Sequence, residues 1–119
     1  MNKREIGAAY EERAAEYLLA HGVRLLEQNY RTRSGEIDLI GRDGEYLVFF
    51  EVKYRRTDGR GAPAEAVDYR KQRTICRVAD YYRMTHRIGD AEAVRYDVVA
   101  ICGEELTWYR NAFEHIYVY

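Results

Sequence analysis

A chain of 119 residues has room for one hydrophobic core and little surplus, so one domain spanning residues 1–119 is expected. With 47% hydrophobic and 33% charged residues, a single Pro and nine Gly, its balance is that of a globular protein and excludes a disordered tail. The net charge of −1 excludes a global basic field, so nucleic acid or an anionic membrane would have to be met by a local patch.

In chain order, the opening MNKREIGAAYEER is too polar for a signal peptide, and the spacing of apolar residues predicts a first helix over Ile6 to Ala20, stopped by His21-Gly22. Val23 to Arg31 reads as a first strand. Two further strands, Glu36 to Gly41 and Tyr46 to Arg55, flank Asp43-Gly44, a dipeptide that favours a two-residue hairpin loop. After TDGRGAP, Ala64 to Thr85 reads as a long helix with Pro63 at its start, and its core face is Val67, Ile75, Val78 and Tyr82, interrupted by Lys71. Arg95 to Ile101 is a fourth strand, and Leu106 to Tyr119 is expected to add edge strands or irregular chain.

The runs Leu47 to Phe50 and Val98 to Ile101 are apolar without alternation, which predicts a sheet covered on both faces. The long helix has the length of a crossover, so the strands on either side of it should be parallel within a mixed sheet. Cys76 and Cys102 have no ligand spacing and read as buried free thiols, and no apolar run approaches the ~18 residues of a membrane span. A cytoplasmic protein that makes no membrane contact is expected.

The hairpin carries an unusual load of charge. With Asp43-Gly44 as its loop, facing residues would have numbers summing to 87, setting Glu36 opposite Glu51 and Asp38 diagonally from Glu51. Alternation then sends Glu36, Asp38, Glu51 and Lys53 to one face and Ile37, Leu39, Val48, Phe50 and Val52 to the other. Three carboxylates against one ammonium call for a further cation, and hard oxygen donors suit a divalent metal. The alternative is a wet face on which Lys53 simply bridges an acid. On the first helix, Glu11 falls among Gly7, Ala8, Ala14, Ala15 and Leu18, where it could either aim at the same patch or reach solvent at the rim.

GEID, about a dozen residues, then EVK, set between a helix bearing an acid and a helix followed by a strand, resembles the PD-(D/E)xK nuclease superfamily. Its core is an α/β, restriction-endonuclease-like αβββαβ arrangement with a mixed central sheet flanked by helices. More closely, GAAYEERAAEYL, NYRTRSGEIDLI, LVFFEVKYRR, AEAVDYRKQ and RYDVVAI are similar to the UPF0102 (YraN-like) family of small bacterial proteins. That family is described as predicted endonucleases distantly related to archaeal Holliday junction resolvases. The resemblance implies that Asp38 is the first motif acid, Glu51 and Lys53 the (D/E)xK pair, and Glu11 the first-helix acid. Asp38, Glu51, the Val52 carbonyl and Glu11 would hold Mg²⁺ or Mn²⁺, and Lys53 would orient or help deprotonate a water. Ile37 stands where the superfamily has Pro, and Glu36 is a secondary candidate with no superfamily role.

The expected activity is therefore metal-dependent hydrolysis of DNA phosphodiester bonds, on branched DNA by analogy with the resolvases, which also imply a homodimer. The rival from another class is a noncatalytic module that keeps the fold and binds nucleic acid or a protein. A local basic patch is available in Arg55 and Arg56, in Lys71, and in Arg70, Arg73 and Arg77, which form a stripe on the long helix that could equally be a solvated face. His21, His86 and His115 have no partner acid nearby in sequence and read as surface or structural residues.

Overall fold

The computed structural model describes residues 2–55 and 67–117. The elements are α1 (Lys3–Ala20), β1 (Arg24–Thr32), β2 (Gly35–Asp43), β3 (Tyr46–Arg55), α2 (Tyr69–Thr85), β4 (Val94–Cys102) and β5 (Glu105–Phe113). The five strands form one sheet in the order β1-β2-β3-β4-β5. Only β3 and β4 pair in parallel, across the crossover through α2, and the other neighbours are antiparallel. This mixed α/β arrangement is compatible with the αβββαβ core, with β5 added at the edge.

The two helices cover opposite faces. α2 sets Ile75, Cys76, Val78, Ala79 and Tyr82 against Ile37, Ile40, Leu47, Phe49 and Val98. On the other face Ala14, Ala15 and Leu18 of α1 pack on Leu39, Val48, Phe50, Val99 and Ile101. Strands buried on both sides have no polar face to present, which is why their sequences run apolar. Among the described residues, no helix is long and apolar enough to cross a membrane.

Several expectations need correction. α1 begins three residues earlier than the apolar spacing implies, because Asn2 caps it: its Oδ1 accepts from the Glu5 N–H at 2.9 Å and its Nδ2 donates to Glu5 Oε1 at 3.0 Å. α2 begins at Tyr69 rather than Ala64, since Asp68 takes extended backbone and accepts from the Lys71 N–H at 2.8 Å, a cap the Pro63 signal obscured. Pro63 and residues 64–66 lie outside the described residues. The C-terminal stretch, expected as edge strands or irregular chain, contains a full edge strand, β5.

The hairpin is also displaced. Leu39 pairs with Phe50 and Asp43 with Tyr46, so facing numbers sum to 89 and the loop is Gly44-Glu45, with Gly44 in the left-handed region at φ 60°. Asp43 stays in the strand because Arg95 Nη2 donates to its Oδ2 at 2.8 Å. A shift of two leaves faces unchanged over the paired stretch, and just beyond it Asp38, rather than Glu36, meets Glu51. Ile37 breaks the predicted alternation, joining the α2 side while Leu39 joins the α1 side. The change occurs where the paired residues of β2 and β3 end, at Leu39–Phe50.

Gly35 opens β2 at φ 151°, and a Cβ there would meet Thr74 Cγ2 of α2 at 2.5 Å. Gly35→Ala should therefore cost about 1–3 kcal/mol through strain and overpacking. Gly7→Ala, inside α1 with nothing within 4 Å of the new Cβ, should instead stabilise by ~0.5–1 kcal/mol. Thermal melts of the two variants should move in opposite directions; equal shifts would refute this account of the α2–β2 approach.

Candidate functional site

The site forms where β2 parts from β3. Beyond Leu39–Phe50 the Asp38 side chain takes over from the backbone ladder: its Oδ2 accepts from the Val52 N–H at 2.8 Å. Glu51, on the next residue of β3, is only 5% exposed and hydrogen-bonds with Asp38. Lys53 Nζ and Lys71 Nζ stand 3.8 Å and 3.6 Å from Glu51 Oε2, one from β3 and one from the first turn of α2. From the α1 side Glu11 approaches, and carboxylate oxygens of Glu11, Glu36 and Asp38 lie within 4.8 Å of one another. Two helices and two strands thus converge on one group of acids.

Electrostatics follow from that crowding. The Asp38 carboxyl is pushed up to about 8, first by burial and then by Glu51, against which the Val52 N–H and Lys71 pull weakly. Glu11 rises to about 6, again by burial and then by Asp38 and Glu36, with Asn29 and Arg31 opposing. The nearby cations are engaged elsewhere: Arg31 Nε holds Glu36 Oε2 at 3.0 Å, and the two lysines lie on Glu51. Glu11 and Asp38, left with least compensation, are the acids that gain proton affinity. An all-oxygen group short of positive charge has the donor chemistry of a hard divalent cation, so the residues fit one.

Of the residues singled out from the sequence, Glu11, Asp38, Glu51 and Lys53 come together, with Val52 between the last two. Glu36, ranked second from the sequence, belongs to the carboxylate group itself. Lys71, expected to contact nucleic acid, lies on Glu51. Arg70 is exposed, whereas Arg73 is half-buried with its guanidinium 6.0 Å from the Tyr69 ring centroid, so the stripe is not uniformly open. Arg55 is exposed at the end of β3, and Arg56 lies outside the described residues.

Asn29 was not among the residues the sequence pointed to. It sits inside β1 at φ 53°, in the left-handed region, and its side chain hydrogen-bonds Glu11. Its only sequence signal is its type, since Asn tolerates that conformation better than other non-glycine residues. His115, which has no partner acid nearby in sequence, lies 3.2 Å from Asp80 Oδ1 and 2.6 Å from the Tyr96 hydroxyl, contacts that only folding creates. Cys76 is buried and accepts from the Ile116 N–H at 3.4 Å, while Cys102 is half-buried; neither forms a disulfide.

The sequence profile described as "Uncharacterised protein family UPF0102" matches residues 10–101, a span that contains Glu11, the hairpin and Lys71. The chain belongs to the UPF0102 family. Bacterial members resemble it almost end to end. The UPF0102 protein of Lachnoclostridium phytofermentans is 44% identical over 114 residues, covering 96% of this chain and 97% of that protein. The UPF0102 protein of Chromohalobacter salexigens is 44% identical over 117 residues, covering 95% and 94%, and that of Serratia proteamaculans 43% over 114 residues, covering 95% and 97%. The UPF0102 match thus takes in β1 to β3, β4 as far as Ile101, and both helices apart from the first turns of α1.

Proposed function

We propose that this UPF0102 protein is a metal-dependent nuclease that hydrolyses phosphodiester bonds in DNA, including branched DNA. The observation that carries this reading is the meeting of Asp38 and Glu51 at the β2–β3 parting, with Glu11 and Glu36 within reach and two lysines facing Glu51. Asp38 and Glu51, with Glu11 and Glu36 beside them, would hold Mg²⁺ or Mn²⁺. Once bound, the ion supplies Lewis-acid polarisation of the phosphate and a lower pKa for water.

The chain's own residues supply the rest. The Val52 N–H fixes the Asp38 carboxylate, and Lys71 restrains Glu51 from the α2 side. Lys53, about one-third exposed at its side chain, can swing from Glu51 toward a phosphate, where its ammonium would orient the attacking water and offset charge developing on the phosphoryl oxygens. Wild-type protein with Mn²⁺ should cut at least one of branched, single-stranded or duplex DNA; no product from any of them would favour the noncatalytic module.

A pH test follows from Asp38. A carboxyl raised from 3.8 to about 8 binds a proton in the folded chain that the unfolded chain has released. Stability of the metal-free protein should therefore fall as pH rises from about 5 to 8 and level off above that. Divalent cation must displace this proton, so its affinity should climb over the same interval. Calorimetry in buffers of differing ionisation heat should register proton release near neutral pH, and Asp38→Asn should remove the part of the release and of the stability slope above about pH 6, leaving below it the smaller contribution of Glu11. A Tm that rises with pH, or Mn²⁺ binding without proton release, would count against the assignment.

A further inference from the structure

Beside the carboxylates runs a cleft of about 600 Å³ between the first turns of α1 and the adjoining parts of β1 and β2. Lys3, Arg4 and Arg31 line it together with Glu11, Asn29 and Glu36, and Arg31 is paired with Glu36 at 3.0 Å. The α1 wall is formed by Gly7 and Ala8, with Gly7 half-buried and Ala8 exposed. Glycine is among the poorest helix formers, so one in the interior of a helix usually answers to close packing. Here packing gives no reason, for a Cβ on Gly7 would have nothing within 4 Å. What the glycine does accomplish is to leave the cleft open. Packing of α1 supports this, because its buried residues, Ala14, Ala15 and Leu18, all lie in the C-terminal half.

We infer that this cleft takes one single strand of DNA and leads its backbone to the carboxylates, with Lys3 and Arg4 meeting its phosphates. The inference rests on the nuclease reading and adds the form of the substrate. A space of about 600 Å³ falls within the ~300–1,000 Å³ of small-ligand pockets, the scale of a short run of one strand. Lys3 and Arg4 in its lining offer positive charge to a phosphodiester chain, and Glu11 and Glu36, which line the same cleft, join it to the carboxylate group. Duplex would then have to be opened, nicked or branched before the scissile phosphate could arrive.

The test measures binding separately from cutting. Fluorescence anisotropy would follow a labelled single-stranded DNA 12-mer, its duplex and the RNA of the same sequence, with Ca²⁺ replacing Mg²⁺. Lys3→Glu with Arg4→Glu should weaken single-strand binding at least tenfold and lower the salt slope by at least about 1. Gly7→Phe should weaken it comparably with the slope unchanged and the melting temperature preserved, because it fills the cleft without removing charge. Arg24→Glu, at the far end of β1, should bind as wild type. Variants of Gly7, Lys3 and Arg4 that bind within twofold of wild type would overturn the inference, as would tighter binding of duplex or of RNA. If these variants lose binding but wild type cuts nothing, the cleft stands and the nuclease reading falls. If cutting depends on Asp38 while the cleft variants bind and cut normally, the nuclease reading stands and the cleft falls.

Discussion

Asp38→Asn should lower the rate of DNA hydrolysis about a thousandfold, and Glu51→Gln should do the same, with the fold intact in both. The size of the loss reflects what the ion contributes, since a cation stabilising transition-state charge supplies several kcal/mol and each ~1.4 kcal/mol is a factor of ten in rate. Retention of fold follows from the site. At neutral pH Asp38 holds a proton, because burial and Glu51 raise its carboxyl to about 8. An Asn amide can accept from the Val52 N–H and donate to Glu51, so it reproduces the metal-free arrangement and removes only the capacity to ionise. For Glu51→Gln the released lysines are no burden, since the side chains of Lys53 and Lys71 are 36% and 42% exposed and can turn to water. Because the two acids would act on one ion, the double variant should lose little more than either single one. Product formation under single-turnover conditions, with circular dichroism as a check of folding, would measure this. More than a tenth of the wild-type rate in Asp38→Asn would sink the assignment of that carboxylate.

The largest effect on stability is expected away from this centre, at Asp97. It is wholly buried, and four donors meet it: Arg95 Nε and Nη2 at 2.9 and 2.7 Å, Trp108 Nε1 at 2.8 Å and the Asn111 N–H at 2.9 Å. Asn111 can present that N–H because it lies in the left-handed region at φ 54°, next to the irregular register between β4 and β5. Asp97→Ala would leave the Trp108 and Asn111 donors without an acceptor and Arg95, 11% exposed at its side chain, with one partner fewer. Breaking a buried pair of this kind costs about 3–5 kcal/mol, a large share of the ~5–15 kcal/mol that holds a domain together. The Tm should drop by more than ~10 °C. Asp97→Asn, which keeps two acceptor lone pairs, should fall between Ala and wild type. A Tm change below ~3 °C in Asp97→Ala would show that the network does not stabilise the fold.

That network also bears on the candidate site. Arg95 reaches from Asp97 to Asp43 and lies over the Tyr46 ring at 4.9 Å, gripping both residues that flank the hairpin loop. With Asp43 held in the strand, the loop is Gly44-Glu45 and the register follows. The pairing that this register sets ends at Leu39–Phe50, immediately before Asp38 and Glu51. A weakened Asp97 would therefore act on the carboxylates through the hairpin.

Much of this was written locally. The apolar runs of β3 and β4 predicted a sheet covered on both faces, and the length of the intervening helix predicted their parallel pairing; both follow from periodicity and reach along the chain. The single face predicted for Glu36, Asp38, Glu51 and Lys53 does not hold along the whole hairpin: a strand repeats every two residues, so a register error of two leaves faces unchanged over the paired stretch from Leu39 to Asp43, but Ile37 lies on the α2 side. Neighbour identity was the casualty. The break at Ile37 could not be read, because it depends on where β2 stops pairing with β3 and on which helix lies over each end.

The amino-acid order by itself determined the types of the elements from α1 to β4, the two-sided burial of the sheet and the presence of acids and lysines in strands that could otherwise be plain core. Those features are set by interactions within about a dozen residues, for which spacing is sufficient information. Only the tertiary structure decided that Lys71 lies on Glu51, that Glu36 joins Glu11 and Asp38, that Asn29 reaches Glu11 and that Arg95 spans Asp97 and Asp43. Each of those contacts joins residues from different elements or turns on a backbone conformation that the paired strands impose. Their geometry is a property of helices seated on a twisted sheet, and no local periodicity encodes it.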